Sequence, residues 1–373
     1  MKYFVIAGEA SGDLHGANLV KELKSIDSTN EFSGWGGDLM AQQGVKVLKH
    51  IRELAFMGFI EVLANIKTIK KNFKLCRQQI IDDKPDAVIM IDYPGFNMRM
   101  SKWVRNQNIP VYYYISPNVW AWNTKRVYHF RDNVNKLFVI LPFEKEFYAK
   151  FNISVDYEGH PLRDAIENFA PTSYTEFCKI NNLDNRPKIA VLAGSRKQEI
   201  KTMLPHMLAA AKNFPEYEFV IAGAPAIDKS IYHKYMDGSA KFVIDDTYNV
   251  LYHAKAGIIK SGTSTLEAAL FDLPQVVCYR SSFISTLIAY LVKKVKYISL
   301  VNLILNRETV KELLQYKVNK NKITEELKKV LPDGSEHKRI MNDYNNIKNM
   351  LGEIGVTKRV AQRIHNYLEN AKK

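Results

Sequence analysis

The sequence is poor in cysteine and has no long hydrophobic run. Its three cysteines, Cys76, Cys178 and Cys278, lie far apart and fit neither a metal-binding motif nor a disulfide framework, which favours a reducing cytoplasm. No apolar run reaches the about 18 residues that a membrane-spanning helix needs, and the run at 3–7 is too short for the core of a signal peptide. We therefore expect a cytoplasmic protein that is soluble or bound to a membrane surface.

Two ligand-binding motifs are also missing. There is no Asp-x-Asp motif to hold a metal ion on a diphosphate, and we predict neither a metal site nor a cofactor. The first glycine-rich loop is not Gly-x-Gly-x-x-Gly, and no acidic residue follows at the distance of a ribose-binding carboxylate, which argues against a dinucleotide site. A bound diphosphate would instead depend on basic side chains and backbone N–H groups.

The chain carries a net charge of +14 within an otherwise ordinary composition of 46% hydrophobic and 25% charged residues. This composition is typical of a globular protein, and 373 residues suffice for two domains. The positive charge favours anionic partners, namely nucleic acid, anionic lipid or phosphorylated metabolites. Because the lysines are dispersed and no nucleic-acid motif is present, we predict no nucleic-acid partner. A basic nucleic-acid-binding protein is the remote alternative, and steeply salt-dependent binding would reveal it.

Strands and helices alternate in both halves of the chain, and each half opens with a strand and a glycine turn. This pattern predicts an α/β fold with two Rossmann-like domains facing across a cleft. We predict an N-terminal domain at 1–165, a C-terminal domain at 186–345 after a polar stretch, and C-terminal helices at 346–373. These helices would cross back onto the first domain or exchange with a partner chain in a homodimer.

The stretch 261–267, Ser-Gly-Thr-Ser-Thr-Leu-Glu, follows a short apolar strand and precedes good helix formers. The free N–H groups and dipole of a helix N-terminus suit a phosphate, and Glu267 is placed to accept hydrogen bonds from sugar hydroxyls. Both features fit a nucleotide-sugar diphosphate. The alternative is a capping box, in which Thr263 or Ser264 caps the helix and Glu267 closes the box.

A second phosphate-type turn is Gly194-Ser195-Arg196, between a predicted strand at 188–192 and a predicted helix at 199–212. Arg196 adds a bidentate donor to this turn. The alternative is an exposed arginine without a ligand.

The first strand runs into a loop with glycines at positions 8, 12 and 16, which let a backbone approach a ligand closely. Gly12 is the candidate for this contact, and Glu9 and His15 are candidate functional side chains because neither is needed for a helix cap. The alternative is a tight turn capped by Asp13.

Asp92 follows a continuous apolar strand at 86–91, and open α/β sheets place their sites at the carboxyl ends of strands. It is therefore a candidate catalytic carboxylate, with a turn or cap aspartate as the alternative. The next strand ends in a loop with Asn118, Trp120 and Trp122, where the tryptophans would form a sugar-stacking wall, an apolar gate or part of the core. His160, in a Gly-His-Pro bend, is interpreted as structural.

Two apolar segments, at 54–63 and 283–291, are flanked by basic residues. The first continues into a helix with a stripe of five basic side chains: Lys67, Lys70, Lys71, Lys74 and Arg77. Such basic amphipathic segments are typical of a membrane-surface contact. The alternative for the helix is a core-facing side with a solvated charged face.

Together these motifs resemble the lipid-A-disaccharide synthase family, which are two-domain glycosyltransferases of the GT-B fold. The matching motifs run in order through most of the chain: AGEASGDLHG at 7–16, MGFIEVL at 57–63, ISPNVWAW at 115–122, LPFEKEFY at 141–148, GHPL at 159–162, GSR at 194–196, SGTSTLE at 261–267 and VKELLQ at 310–315. Two departures stand out. The family usually has Ser-Leu-Pro-Asn where this chain has Val301 before Asn302, and often Ala-Gly where it has Leu305 and Asn306.

The resemblance implies a hexosyltransferase of Gram-negative lipopolysaccharide biosynthesis. It would condense UDP-2,3-diacylglucosamine with 2,3-diacylglucosamine 1-phosphate (lipid X), with inversion, into the β-1,6-linked tetraacyl disaccharide 1-phosphate and UDP. Asp92 would take the proton from the acceptor 6-hydroxyl, with His15 or Glu9 as alternative bases, and Arg196 would lie near the UDP phosphates. Residues expected at the substrates are Gly12, Asn118, Gly194, Ser195, Ser261, Gly262, Thr263, Ser264, Glu267 and Asn302.

The acylated substrates imply an enzyme that is peripherally bound to the anionic inner leaflet of the inner membrane. The alternative is a soluble UDP-sugar transferase or epimerase on the same fold, which would not need the apolar, basic-flanked segments.

Overall fold

The computed structural model describes residues 1–54, 66–225, 227–280 and 296–372. Most of the predicted apolar segment at 54–63 and all of the segment at 283–291 therefore lie outside the described residues. The chain divides into a first unit, Met1–Asp164 with Gly352–Lys373, and a second unit, Ala165–Leu351. In the described part of the chain, no helix is both long enough and apolar enough to cross a membrane.

The first unit contains a seven-stranded sheet in the order β3-β2-β1-β4-β5-β6-β7. Its strands are β1 Lys2–Ala7, β2 Glu31–Gly36, β3 Lys46–His50, β4 Ala87–Ile91, β5 Val111–Tyr114, β6 Lys136–Val139 and β7 Asp156–Tyr157. All neighbouring strands are parallel. The connections run outward in opposite directions from β1 and β4, so the topological switch point lies between these two strands.

Helices cover both faces of this sheet, and two apolar clusters form its core. The helices of the unit are α1 Ala10–Ile26, α2 Asp38–Gln42, α3 Ile66–Asp83, α4 Pro94–Arg105, α5 Val119–Trp122, α6 Val127–Asn133, α7 Pro142–Ala149 and, at the end of the given chain, α17 Val356–Lys372; short 3-10 turns lie at Ile51–Glu53 and Thr124–Arg126. A further helix, α8 Leu162–Glu167, begins in the first unit and ends in the second. β4 is buried along its whole length, as its continuous apolar sequence predicts.

The second unit repeats this plan with a six-stranded parallel sheet in the order β10-β9-β8-β11-β12-β13. Its strands are β8 Lys188–Leu192, β9 Glu218–Gly223, β10 Ala240–Ile244, β11 Ala254–Lys260, β12 Gln275–Tyr279 and β13 Lys311–Leu314. Its helices are α9 Tyr174–Ile180, α10 Lys197–Leu208, α11 Lys229–His233, α12 Thr247–His253, α13 Ser264–Leu270, α14 Leu300–Leu305, α15 Lys320–Val330 and α16 His337–Met350, with 3-10 turns at Ala211–Asn213 and Gln315–Lys317. The switch point of this sheet lies between β8 and β11.

The observed boundaries differ from the predicted ones in two places. The second unit begins at Ala165 instead of 186, because Phe177 and Cys178 of α9 are buried in its core. The chain returns to the first unit at Gly352 instead of the predicted 346. The last turn of α16 therefore belongs to the second unit. The predicted helix at 199–212 is also shorter, since α10 ends at Leu208 and a 3-10 turn follows.

Asp164 fixes the start of α17 on the first unit. Its carboxylate accepts hydrogen bonds from the backbone N–H groups of Gly355 at 2.7 Å, Val356 at 3.1 Å and Thr357 at 2.9 Å. These are N–H groups that a helix N-terminus leaves without intrahelical partners. Four side chains of α17 then enter the core of the first unit: Val360, Ala361, Ile364 and Leu368.

Candidate functional site

Asp92 lies at the switch point of the first unit, directly after β4. Both Asp92 and Tyr93 have left-handed backbone conformations, with φ of 44° and 50°, which are costly for residues other than glycine. The Asp92 N–H donates to the Tyr114 carbonyl oxygen at 3.0 Å, and its own carbonyl oxygen accepts from Asn97 Nδ2 at 2.9 Å and from the Tyr113 hydroxyl at 2.6 Å. The main chain of Asp92 is therefore held firmly, while its side chain stays partly accessible.

The Asp92 carboxyl has an environment suited to a general base. Burial and, as a smaller effect, the charge of Glu9 raise its pKa from 3.8 to about 6. Glu9 is exposed, precedes α1 and makes no side-chain capping bond. A base with a pKa near neutrality combines a useful ionised fraction with a real affinity for a proton. Asp92 and Glu9 therefore lie close enough for their charges to interact, which the sequence alone could not establish.

His15, the other candidate base, is half-buried beside Tyr114, with ring centroids 6.3 Å apart. Burial lowers the pKa of His15 to about 4, so at neutral pH it is an uncharged and weaker base than Asp92. Burial, with the nearby His15, lowers the pKa of His160 to about 3. His160 is buried and its Nδ1 accepts a hydrogen bond from the Leu162 N–H at 3.2 Å, in keeping with a structural bend.

Asp13 has a different role from the cap that the alternative interpretation assigned to it. Its buried carboxylate accepts hydrogen bonds from the N–H groups of Gly37 at 2.7 Å, Leu39 at 3.1 Å and Met40 at 3.1 Å. It therefore caps the N-terminus of α2 and not its own helix. The alternative in which Asp13 caps its own turn was wrong, because the N–H groups that its carboxylate binds belong to the start of α2 and lie far away in sequence.

The loop glycines Gly8 and Gly12 of the first unit lie in close packing. A Cβ on Gly8 would lie 2.3 Å from the ring of Tyr93, and one on Gly12 would lie 3.3 Å from the Cβ of Ala7. Gly12 is buried, so the contact that it makes in the structure is with β1. Its predicted ligand contact stays a prediction.

The tryptophan loop after β5 contributes to the core through Trp120. Trp120 is buried and packs edge-on against Phe143, with ring centroids 5.0 Å apart, which favours core packing over a stacking wall for this residue. The side chain of Trp122 lies outside the described part of the chain. Asn118 is exposed at the start of α5, and its side chain makes no capping bond there.

In the second unit, a cavity of about 340 Å³ lies at the carboxyl ends of β8, β9 and β11, next to the switch point. It brings together the two turns that the sequence predicted to bind phosphate. The lining residues are Leu192, Gly194, Ser195, Ala222, Ala224, Pro225, Thr247, Tyr248, Lys260, Gly262, Thr263, Ser264 and Glu267. The cavity therefore lies at the place in the fold where doubly wound sheets bind ligands.

The 194–196 turn is occupied by an internal carboxylate. Glu199 Oε2 accepts a hydrogen bond from the Ser195 N–H at 3.1 Å, and Glu199 Oε1 lies 2.9 Å from Lys260 Nζ. Gly194 has φ of 110°, and a Cβ there would lie 2.4 Å from Glu199 Oε2. Arg196 is 68% exposed, with Nη1 4.0 Å from Glu199 Oε1. Arg196 is therefore an exposed side chain beside this turn and is not among the residues that line the cavity. Sequence reasoning missed Lys260 and Glu199.

The 261–267 stretch forms a strand end, a turn and α13, as predicted, without the capping box. Thr263 precedes the helix with helical φ and ψ of −58° and −32°, and its side chain makes no capping bond. Ser264 Oγ instead donates to the Lys260 carbonyl oxygen at 3.3 Å, and Ser261 Oγ donates to the Ile298 carbonyl oxygen at 2.8 Å. The capping-box alternative is therefore wrong, and Glu267 is not engaged in it.

Glu267 is half-buried at the cavity wall beside Tyr248. Burial raises the pKa of Glu267, a hydrogen bond with the Tyr248 side chain partly opposes this rise, and the resulting pKa is about 7. Burial also raises the pKa of Tyr248, so its hydroxyl stays protonated at neutral pH. Tyr248 packs edge-on against Phe271, with ring centroids 5.1 Å apart. No sequence signal identified Tyr248, because it lies in an ordinary helix start after β10.

Asn302 is buried, and its amide is fully used inside the protein. Its Nδ2 donates to the Val310 carbonyl oxygen and to Glu312 Oε1, both at 2.9 Å. Its Oδ1 accepts from the N–H groups of Thr309 at 2.8 Å and Val310 at 2.9 Å. The predicted direct contact with a nucleotide finds no support in this geometry, because no donor or acceptor of the side chain is left over.

The two departures from the family pattern are both accommodated. Val301 lies in the first turn of α14, after the Ser299 cap, where a proline is tolerated but not required. Asn306 ends α14 in a left-handed conformation with φ of 51°, which glycine favours and asparagine accepts more readily than most residues.

Comparison with known proteins gives matches along nearly the whole chain. The family model described as lipid-A-disaccharide synthetase matches residues 3–364. The lipid-A-disaccharide synthase of Myxococcus xanthus is 36% identical over 371 residues, which cover 97% of this chain and 96% of that protein. The enzyme of the same name from Geobacter sulfurreducens is 35% identical over 369 residues, covering 96% of this chain and 95% of that protein.

Solved structures confirm the predicted fold class of two parallel α/β domains, as in GT-B glycosyltransferases and epimerases. The Neisseria meningitidis UDP-GlcNAc 2-epimerase bound to UDP-GlcNAc matches with a TM-score of 0.66 and 16% identity, covering 98% of this chain and 100% of that one. The calicheamicin glycosyltransferase CalG4 matches with a TM-score of 0.61 and 14% identity, covering 100% and 99%. At these identities the likeness concerns the fold alone.

Proposed function

We propose that this chain, which belongs to the lipid-A-disaccharide synthetase family, transfers 2,3-diacylglucosamine from UDP to the 6-hydroxyl of 2,3-diacylglucosamine 1-phosphate. The products are the β-1,6-linked disaccharide 1-phosphate and UDP. The observation that carries this proposal is the family match at 3–364, which includes both switch points. As a member of this family, the chain is a glycosyltransferase with a role in lipid A disaccharide synthesis.

The cavity of the second unit is the proposed UDP site. Glu267 accepts hydrogen bonds from the ribose hydroxyls, and the turn of Gly262, Thr263 and Ser264 frames the diphosphate. Arg196, exposed next to the cavity-lining Ser195, supplies positive charge to the phosphates. Gly194, Ser195 and Ser261 shape the two turns. Asn302 supports this site indirectly, because its amide fixes the backbone of 309–310.

Asp92 is the proposed general base in the first unit. It takes the proton from the acceptor 6-hydroxyl as the oxygen attacks the anomeric carbon of the donor. The bond from that carbon to the UDP oxygen breaks, and the β-phosphate of UDP leaves with the electron pair. A single displacement inverts the anomeric centre and needs only one base. The pKa of Asp92, raised by burial to about 6, suits this role better than the lowered pKa of His15.

Binding to an anionic membrane surface is part of the proposal, since both sugars carry acyl chains. All five basic side chains that the sequence placed on α3 are exposed: Lys67, Lys70, Lys71, Lys74 and Arg77. The opposite side of α3 is anchored by Cys76 and Ile80, which are buried in the core. An exposed basic face on a helix beside an apolar sequence segment is drawn to anionic lipid.

The test is turnover in detergent micelles with the diacylated UDP-glucosamine and diacylglucosamine 1-phosphate. We expect the wild type to release UDP with formation of disaccharide, and Asp92→Asn to lose a factor of about 10² or more in kcat. Absence of disaccharide from a folded, UDP-binding preparation would overturn the proposal. Conversion of a water-soluble UDP-sugar in the absence of detergent would then identify a soluble transferase or epimerase.

A further inference from the structure

We propose that Lys260 is the partly buried cation that binds the diphosphate, and that the Glu199 carboxylate occupies the place of the diphosphate in the free protein, as an internal counter-ion of Lys260. This inference rests on the proposed UDP site and assigns a role to two residues that no motif singled out. Lys260 lies in the cavity wall, at the end of β11, and Glu199 lies in the first turn of α10.

The ammonium of Lys260 stands between the two phosphate-type turns. Nζ lies 2.9 Å from Glu199 Oε1, whose partner oxygen accepts from the Ser195 N–H at 3.1 Å. On the other side, a Cβ on Gly262 would lie 3.9 Å from the same Nζ. One cation therefore reaches both the 194–196 turn and the 261–264 turn.

The Glu199 carboxylate makes the contacts that a phosphate oxygen would make in this place. It takes one backbone N–H and one ammonium, which are the donors that phosphates also use. A second carboxylate-sized anion cannot share the Ser195 N–H and the Lys260 ammonium without strong repulsion from Glu199. Binding of a diphosphate therefore requires Lys260 to exchange Glu199 for the phosphate as its main partner.

Lys260 is better placed for this task than Arg196. The side chain of Lys260 is 19% exposed, whereas that of Arg196 is 68% exposed. Solvent screens an exposed charge more strongly, so a phosphate gains more from the enclosed ammonium of Lys260 than from the exposed guanidinium of Arg196. Lys260 is a compact ammonium on a flexible stem, which allows the change of partner.

The test measures UDP and uridine affinities by titration calorimetry on the full-length protein, because the two ligands differ only in the diphosphate. We expect Glu199→Gln to bind UDP about threefold or more tightly than the wild type, since a competing charge is gone. We expect the double variant K260M/E199Q to bind UDP about tenfold or more weakly than E199Q. This pair isolates Lys260 without leaving Glu199 unpaired, and uridine affinity should be equal in all variants.

Lys260→Arg in the E199Q background should recover most of the UDP affinity, because the positive charge is retained. Equal UDP affinities of E199Q and K260M/E199Q would overturn the inference, and so would a parallel loss of UDP and uridine binding. Either result with a wild type that binds UDP and forms the disaccharide would leave the proposed function standing. A folded wild type that binds no UDP would overturn both.

Discussion

Glu312 Oε1 accepts a hydrogen bond from Asn302 Nδ2 at 2.9 Å, and this pair organises the chain beside the 261–267 turn. The same carboxylate accepts from the N–H groups of Ile298 at 3.1 Å and Ser299 at 2.9 Å. The Ile298 carbonyl oxygen in turn accepts from Ser261 Oγ at 2.8 Å. Glu312, within the VKELLQ motif, is thus linked to the proposed diphosphate turn by consecutive hydrogen bonds.

Glu312→Ala should destabilise the protein by about 2–4 kcal/mol, because buried donors of Ser299 and Asn302 lose their acceptor. Urea denaturation of the whole protein measures this loss as a decrease in the free energy of unfolding. Glu308→Ala is the matched control, since the side chain of Glu308 forms an exposed ion pair with Lys311, which is worth little. Equal stability of the two variants would contradict the structural role of Glu312.

The acid limb of the rate profile should report Asp92. Because burial and Glu9 raise the pKa of Asp92 to about 6, kcat/KM should fall about tenfold per pH unit below that value. Glu9→Gln removes a negative charge that raises this pKa, so its acid limb should move to lower pH. Profiles of kcat/KM against pH for the wild type, Glu9→Gln and His15→Asn test this. A limb that moves only in His15→Asn would transfer the role of base to His15.

UDP binding should weaken as pH falls through the pKa of Glu267, which burial raises to about 7. The reason is that the ionised carboxylate accepts two ribose hydroxyl protons, while the neutral acid accepts fewer. Tyr248→Phe removes the hydrogen bond that lowers this pKa, so the weakening should begin at higher pH. Titrations of UDP between pH 6 and 9 measure both effects. Tyr252→Phe, at an exposed position on the same helix α12, should behave as the wild type.

Stability at neutral pH should increase in Glu144→Gln. Burial raises the pKa of Glu144 from 4.5 to about 7, so the folded protein binds this proton more tightly than the unfolded chain. The free energy of unfolding that Glu144 contributes is therefore fully present below pH 4.5 and lost as pH rises through 7. Since glutamine does not ionise, the variant does not lose this contribution. Its free energy of unfolding relative to that of the wild type should therefore increase by about 1–3 kcal/mol as pH rises from 4.5 through 7.

Chemical denaturation at pH 4.5 and at pH 7.5 measures this difference for Glu144→Gln, with the exposed Glu146→Gln on the same helix as the control. A stability difference from the wild type that is the same at both pH values would show that Glu144 ionises normally in the folded protein.

The sequence predicted those parts of the fold and site that are written in contiguous residues. β4 is a continuous apolar run, so its position, and that of Asp92 at its end, could be predicted from local pattern alone. The edge strands β3 and β13 were not predicted, because their residues are largely half-exposed and lack such a run. The turn at 261–267 was predicted as a turn, but its hydrogen bonds were not.

Contacts between distant residues account for what the sequence could not provide. Asp13 caps α2 through Gly37, and Lys260 pairs with Glu199, and neither partnership has a local signal. Asn302 is the opposite case, because a family resemblance suggested a ligand contact while the tertiary structure uses its whole amide internally. The resemblance thus drew attention to Asn302 without indicating its internal hydrogen bonds, and its contact with a nucleotide stays a prediction.

The return of α17 to the first unit also sets an order of events during synthesis. The second unit ends at Leu351, so its full sequence leaves the ribosome before 352–373 does. The apolar partners of α17, including Leu19 and Val20 in the same core cluster, are not covered by this helix until 352–373 have been synthesised. Synthesis of the first unit therefore begins before that of the second unit, but its core is completed only after the second unit has been synthesised. A premature stop in α17 would release a chain in which part of this core is exposed.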